Sequence, residues 1–371
     1  SVPRIILLGD AQQLPPVRNG AVLMELTQDL GGPDQEDAVD NPVPVVSLVR
    51  SYRQKIADPA GRNILGVAET VKNIGHDPRP ELLFEAKSPN QEIIQRLNSL
   101  EEVELEKVLL LNQVNSLDQI KVFAKWWVEQ FLQDENFLLL TQQEYPFDAA
   151  ESCASQLDYL FNHLKNFHVL TATQVLSTGA EKLNQKIREC WLAENGANQI
   201  FSEHYPGEPV IVTENNYMYR LFNGDQGIFL KFLNPDTNEM ELKAVFPVEG
   251  VFKTFYEHEL HHLYPAYATT VHKSQGSEYN HLALILPTLS IDSGKAELET
   301  RRVRELMSRE MLYTALTRAV KSVLIIGEQS VLESAALHKV SRYSGLGTSL
   351  RSKRINRSKS VKNLKIKSKK N

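Results

Sequence analysis

Apolar positions along the chain follow two alternating periods. Compact runs such as Arg4-Ile-Ile-Leu-Leu-Gly9, Val45-Val-Ser-Leu48, Phe167-His-Val-Leu-Thr-Ala-Thr173, His281-Leu-Ala-Leu-Ile-Leu-Pro287 and Ser322-Val-Leu-Ile-Ile-Gly327 read as strands buried on both faces. Between them, residues 20–30, 62–74, 101–112, 117–133, 149–166, 179–191 and 300–319 repeat their apolar positions with a helical period. Near-continuous apolar strands interleaved with amphipathic helices predict an α/β fold, a parallel sheet with flanking helices. Trp126, Trp127 and Phe131 fall on one predicted helix and read as core more than as a stacking platform.

From Pro209 to Val251 the pattern changes. Short β-like runs at 210–212, 227–232, 239–242 and 244–246 are separated by Asn-Gly, Asn-Pro-Asp and Glu-Gly turn signals. That spacing predicts a small antiparallel β-barrel inserted into the α/β domain. Residues 10–18 form a loop at the end of the first strand, and 31–44 are rich in Asp and Pro, as a crossover would be. Residues 267–276 read as strand, loop and helix. Residues 81–165 carry little beyond helical periodicity.

Charge alters the picture at one end. The formal net charge is −5, yet residues 351–371 hold ten Lys or Arg and no acid. Without them 31 basic residues face 46 acidic ones, a balance of −15. The body's field therefore does not favour a polyanion, and a nucleic-acid path over it must come from local clusters. After Gly347 the sequence is polar and basic and reads as a disordered tail. No apolar run reaches the length that spans a bilayer. Cys153 and Cys190 are far apart, without metal-like spacing, which fits a reducing cytoplasm.

Five clusters carry candidate chemistry. In Gly9-Asp-Ala-Gln-Gln-Leu-Pro15 a neutral amide, Gln13, at a strand end can sense a γ-phosphate or position water without adding negative charge, and Asp10 can orient the loop or a metal-bound water. The bland reading is a strand-to-loop turn capped by Asp10. Ser51-Tyr-Arg53 places a ring, Tyr52, beside the permanent charge of Arg53. Thr270-Val-His-Lys-Ser-Gln-Gly-Ser-Glu278 packs Thr270, His272 and Lys273 around Gly276, which lets backbone approach a ligand, and Glu278 can accept from a ribose hydroxyl. In Tyr313-Thr-Ala-Leu-Thr-Arg318 the guanidinium stands at a helix end, where an anionic partner is expected because an unpaired buried charge is costly. Asn223 opens a hairpin turn preceded by Tyr217, Tyr219, Arg220 and Phe222, a composition that suits either single-stranded nucleic acid or a barrel core with a solvated turn.

The first four of these runs, in this order, resemble superfamily 1 DNA helicases, and among those the alpha subunit of exodeoxyribonuclease V (RecD) and its stand-alone relatives. Leu221-Phe-Asn-Gly-Asp-Gln-Gly227, Val169-Leu-Thr-Ala-Thr173 with Leu183-Asn184, and Arg342-Tyr-Ser-Gly-Leu346 carry the closer match. The resemblance implies a RecA-like P-loop NTPase motor domain with an inserted SH3-like β-barrel. It implies 1–32 as the end of a first RecA-like domain, 45–205 and 266–346 as the second, 206–265 as the barrel, and 347–371 as a basic tail. It implies a 5′-to-3′ motor on single-stranded or duplex-end DNA, using ATP and Mg2+, with RecB- and RecC-like partner subunits, no membrane and no dedicated metal ligands here. Catalytic roles fall to Gln13, Arg53 and Arg318. Asp10, Tyr52, Gly276 and Glu278 would touch the nucleotide, and Thr171, Thr173, Asn223, Thr270, His272 and Lys273 the DNA. No Gly-x-x-x-x-Gly-Lys-Ser/Thr occurs in these 371 residues. The chain is therefore expected to be the C-terminal part of a longer protein. The competing expectation is a non-catalytic DNA- or subunit-binding module.

Overall fold

A computed structural model of the chain describes residues 6–15, 22–29, 57–74, 77–86, 93–113, 115–195, 203–288 and 306–340. Its strands are β1 (Gln95–Leu97), β2 (Val108–Leu111), β3 (Glu144–Tyr145), β4 (Phe167–Thr171), β5 (Pro209–Val212), β6 (Gln226–Leu233), β7 (Met240–Val248), β8 (Val251–Tyr256), β9 (Leu263–Pro265), β10 (Ala268–Thr270), β11 (Tyr279–Ile285) and β12 (Ala319–Ile326). Its helices are α1 (Val22–Asp29), α2 (Pro59–Asn73), α3 (Leu117–Trp127), α4 (Glu135–Gln142), α5 (Ala149–Ser152), α6 (Ala154–Asn166), α7 (Ala180–Asn195), α8 (Arg309–Leu316) and α9 (Gln329–Leu337).

The centre is a parallel sheet of order β1-β2-β12-β11-β4-β10. Alternate side chains of its middle strands enter two separate cores. Leu109, Leu111, Val169, Ala283, Ile285, Leu324 and Ile326 pack with α3, α6 and α7. Val108, Leu110, Leu170, Leu282, Leu284, Val323 and Ile325 pack with α2, α8 and α9. Burial on both faces is why these strands are apolar at nearly every position. The α/β class expected from the sequence, a parallel sheet with flanking helices, is the class observed.

A second sheet, of order β8-β7-β6-β5-β9 with β3 added in parallel to β6, is otherwise antiparallel. One of its faces closes over Val210, Val212, Phe229, Phe246 and Phe255. Gly227 is required there, because a Cβ would sit 2.5 Å from the Phe246 ring. The outer strands β8 and β9 share no ladder among the described residues, so the closure of an SH3-like barrel is not among the pairings. Only Ala266 and Tyr267 separate β9 from β10, so the two sheets are joined by a short, buried link.

Several local expectations are corrected. Ile6, Leu7 and Leu8 are exposed and form no strand, because no described strand lies beside them to complete a ladder. Residues 101–112 are not a helix: a single 3-10 turn, Leu100–Glu102, precedes β2, whose four residues are all buried between β1 and β12. The 117–133 helix changes to a wider π turn over Val128–Leu132. The 149–166 helix breaks at Cys153 into α5 and α6. Residues 271–276 are turns that lead straight to β11, with no helix between. The 300–319 helix ends at Leu316 within the described part, and β12 begins at Ala319. Trp127 and Phe131 are core, stacked edge to face with centroids 4.6 Å apart. The expected helix at 20–30 is described as α1, whereas strand 45–48 and the basic tail lie outside the described residues.

Candidate nucleotide and nucleic-acid site

Arg318 occupies the turn between α8 and β12 and is 2% exposed. Ser308 caps the start of α8, its Oγ accepting from the Met311 N–H at 3.2 Å. Met311, Leu312, Ala315 and Leu316 then bury one side of the helix in the core. Arg318 follows at the end of that buried stripe, so its side chain is fixed by the helix's own packing. Its Nη2 donates to Gln13 Oε1 at 2.8 Å, its Nη1 to the Ser277 carbonyl at 3.3 Å and its Nε to the Thr314 carbonyl at 3.4 Å. The sequence expectation of an anionic partner thus meets neutral oxygens at these three positions.

The loop that carries Gln13 is docked by two further bonds. The Leu14 N–H donates to Thr314 Oγ1 at 2.7 Å, and Gln275 Nε2 donates to the Leu14 carbonyl at 2.7 Å. Leu14 itself is buried against α2 and α8. Three runs far apart in sequence, around residues 13, 275 and 318, therefore meet at one point. Asp10 is exposed, and its Oδ1 accepts from the Gln12 N–H at 2.9 Å, the turn-capping contact expected of an ordinary Asp. Beside it, burial and then the Asp10 and Glu69 carboxylates push the Tyr313 hydroxyl up to about 12. Gln275, Thr314 and Tyr313 were not singled out from the sequence. A signal for Thr314 existed: it stands one helical turn before Arg318 and so shares its face.

The 271–278 segment crosses the parallel sheet from the carboxyl end of β10, its outer strand, to the amino end of β11, an inner one. Thr270 ends β10 opposite Thr171, the last residue of β4, and the Val271 N–H donates to the Thr171 carbonyl at 3.0 Å. At the other end, the Tyr279 N–H donates to the Arg318 carbonyl at 3.0 Å as β11 pairs with β12. Thr171, Thr173, Thr270, His272 and Lys273 thus gather at the carboxyl ends of β4 and β10. Gly276, Glu278 and Arg318 gather at the amino ends of β11 and β12. Gly276 has φ +90°, a backbone state that disfavours any side chain, and faces open space. Glu278 is exposed.

At the carboxyl edge, Thr171 Oγ1 donates to the Thr173 carbonyl at 2.7 Å. Thr173 Oγ1 is buried with no hydrogen-bond partner among the described residues. Lys273 is half-buried, and burial lowers its pKa while Glu181 opposes that shift. Its Nζ stands 5.8 Å from the Tyr264 ring centre. Asn223 is exposed in a turn at the far end of the antiparallel sheet, its N–H donating to Asn215 Oδ1 at 2.9 Å. Tyr217 and Phe222 meet edge to face in the same turn. Tyr52 and Arg53 lie outside the described residues. No group of three or more His, Cys, Asp or Glu able to hold a metal ion occurs among the described residues, and none of their helices is long and apolar enough to cross a membrane.

Residues 265–326, which run from the end of β9 to the end of β12, match the UvrD-like helicase C-terminal domain. The chain is 28% identical over 360 residues to the RecBCD enzyme subunit RecD of Haemophilus influenzae, covering 93% of this chain and 50% of that protein. It is 26% identical to RecD of Mycolicibacterium smegmatis, covering 94% and 49%. It is 29% identical over 175 residues to the ATP-dependent RecD2 DNA helicase of Deinococcus radiodurans, covering 45% and 21%. The chain spans about half the length of the RecD proteins it matches. A crystal structure of Pif1 helicase from Bacteroides with ADP-AlF3 and ssDNA superposes with a TM-score of 0.25 at 12% identity, over 76% of this chain and 71% of that one. The chain is thus similar to RecD proteins along nearly its whole length, and over residues 265–326 to the UvrD-like helicase C-terminal domain.

Proposed function

We propose that this chain is the nucleotide-responding part of an ATP-dependent DNA helicase or translocase, moving 5′ to 3′ on single-stranded DNA as a RecD-type subunit. The observation that carries the reading is the contact of Arg318 with Gln13, reinforced by the bond from Gln275 of the 271–278 segment to the neighbouring Leu14 carbonyl. A buried guanidinium, a neutral amide and an open glycine turn converge there. These are the residue types that sense a terminal phosphate from outside the loop that holds it. MgATP, when bound, supplies a triphosphate whose terminal charge Arg318 and Arg53 are suited to meet. Gln13 holds the Arg318 fork in position, Gly276 leaves room at the turn, and Glu278 is exposed for a ribose hydroxyl. The 271–278 segment ties that edge to Thr171, Thr173, Thr270, His272 and Lys273, which we assign with Asn223 to the DNA strand. Asp10 and Tyr52 would border the nucleotide.

In this reading 1–32 ends a first RecA-like domain, 45–205 and 266–346 form the second, 206–265 is an SH3-like insertion, and 347–371 is a basic tail. The partners are single-stranded or duplex-end DNA and RecB- and RecC-like subunits, in the cytoplasm. In the protein encoded by the whole reading frame, Arg318→Ala should lower DNA-stimulated ATP hydrolysis by roughly a thousandfold, the scale of an arginine finger. Single-strand binding should stay within a few-fold of the parent. Retained turnover would remove Arg318 from this role.

A second reading, a non-catalytic DNA- or subunit-binding module, draws on the lack of a Gly-x-x-x-x-Gly-Lys-Ser/Thr pattern in these 371 residues. A reading frame that continues upstream into that pattern would exclude it. A start codon directly before Ser1 would favour it.

A further inference from the structure

Tyr264 stands where the antiparallel sheet meets the 271–278 segment. It lies on β9, an outer strand of that sheet, opposite Ile211 of β5, which in turn pairs with Gln226 of β6. Residues opposite one another across a sheet share a face. The Gln226–Ile211–Tyr264 row is therefore on one face, and Ile228, two residues along β6 from Gln226 and on the same face, packs in the core shared with Val169, Ala283 and Ile285 of the parallel sheet. That face is turned toward the parallel sheet. The opposite face, with Val210, Val212 and Phe229, closes its own core. Tyr264 is nevertheless 44% exposed, flanked by partly buried Leu263 and Pro265.

Position along the fold is the second observation. The turn that carries Asn223 leaves β5 at Val212, and the Gly224 N–H returns to the Val212 carbonyl at 2.9 Å. Val212 pairs with Leu263, next to Tyr264. On its other side, the short link from β9 to β10 leads to Thr270, and Lys273 folds back so that its Nζ approaches the Tyr264 ring. Tyr264 thus lies between the Asn223 turn and the Thr270–Lys273 strand end. A half-exposed ring with an ammonium beside it offers a base a π-face and a phosphate a charge, the pairing that recurs in sequence-tolerant binding of single strands.

We propose that Tyr264 is a base-stacking residue for single-stranded nucleic acid, and that Lys273 beside it engages the adjacent phosphate. The ring is held by β9 and the ammonium by the turn that follows β10, so the pair stands where the two sheets join and clamps one nucleotide there. This rests on the DNA-binding reading of Thr270 and Lys273 given above and adds the residue that would grip a base rather than the backbone.

The test uses the full chain and fluorescein-labelled oligo-dT, followed by anisotropy over a range of salt concentrations. Tyr264→Ala should weaken binding roughly fivefold or more, the lower end of the stacking range for one base. It should leave the salt dependence unchanged, while Tyr264→Phe binds as the parent does. Lys273→Ala should instead reduce the salt slope by about one phosphate contact. A second measurement needs no variant: 5-iododeoxyuridine in the oligonucleotide should photocrosslink to Tyr264, read by mass spectrometry. A Tyr264→Ala chain that binds as tightly as the parent overturns the inference, as does a Tyr264→Phe chain as weak as the alanine variant, or crosslinking that bypasses Tyr264. If the unmutated chain fails to bind oligo-dT at all, the DNA-binding reading itself falls, a result distinct from equal binding by parent and variant.

Discussion

Replacing Asn184 by Leu tests how the outer strand of the parallel sheet is held. Strand β10 pairs with β4 on one side only. Tyr267 accepts from the Val169 N–H at 3.3 Å and the Val271 N–H donates to the Thr171 carbonyl at 3.0 Å, so alternate residues of this stretch point toward β4. Ala268 points the other way, and it is 1% exposed. The Asn184 side chain, from α7, meets both of its backbone groups. Asn184 Nδ2 donates to the Ala268 carbonyl at 2.9 Å, and Asn184 Oδ1 accepts from the Ala268 N–H at 2.7 Å. One amide side chain thus substitutes for a missing neighbour strand. Leucine has nearly the same size but neither bond, and it would strand two buried backbone groups. Each such group costs about 1–3 kcal/mol, so Asn184→Leu should destabilise the chain by about 2–4 kcal/mol after some return from the added apolar surface. Urea unfolding should show a lower midpoint with an unchanged slope, and hydrogen exchange at the Ala268 amide should accelerate. Gln185→Ala, one residue on and exposed, should stay within about 0.5 kcal/mol of the parent. A loss for Asn184→Leu no larger than that control, with Ala268 still protected, would refute the argument.

Two other outcomes follow from the buried groups, beside those given above for Arg318 and Tyr264. His168, stacked on Tyr279 and bonded to Thr269, is pushed by burial from 6.5 down to about 3, and His281 by burial and then Lys321 down to about 4. Between 6.5 and about 4 the unfolded chain binds protons that the folded chain refuses, so their contribution is present above 6.5 and is lost as pH falls. A His168→Gln, His281→Gln double variant should show a shallower loss of unfolding free energy over that window in urea titrations, and identical slopes would contradict the assignment. Thr314→Val removes the acceptor of the Leu14 N–H while keeping the side chain's volume; a loss of about 1 kcal/mol and faster exchange at the Leu14 amide are expected, and an unchanged Leu14 exchange rate would show that the loop is held by other contacts.

What the sequence could not reveal has identifiable causes. The run Val108–Leu111 lay inside a stretch with helical periodicity, and four apolar residues alone do not distinguish a strand from a helix turn. Its neighbours β1 and β12 decided the matter. Ile6–Leu8 shows the converse: a strand-like composition is exposed where no described strand lies beside it. Tyr264 gave no local signal, because its interest arises from a ring and an ammonium nine residues apart that come together only in space.

The sequence by itself determined the α/β class, the antiparallel character of the 209–251 region, the cluster around Thr270–Glu278 and the prominence of Arg318. Each rests on periodicity or on residue types within a dozen positions, which is the range over which local sequence constrains structure. Only the tertiary structure decided that Gln13 and Gln275 share one point with Arg318, that Asn184 completes the edge of β10, and that the 271–278 segment runs between opposite ends of the sheet's strands. Those are contacts between residues as many as 305 positions apart. Such pairings depend on which strands lie side by side, and strand order is set by the packing of all the helices on both faces together.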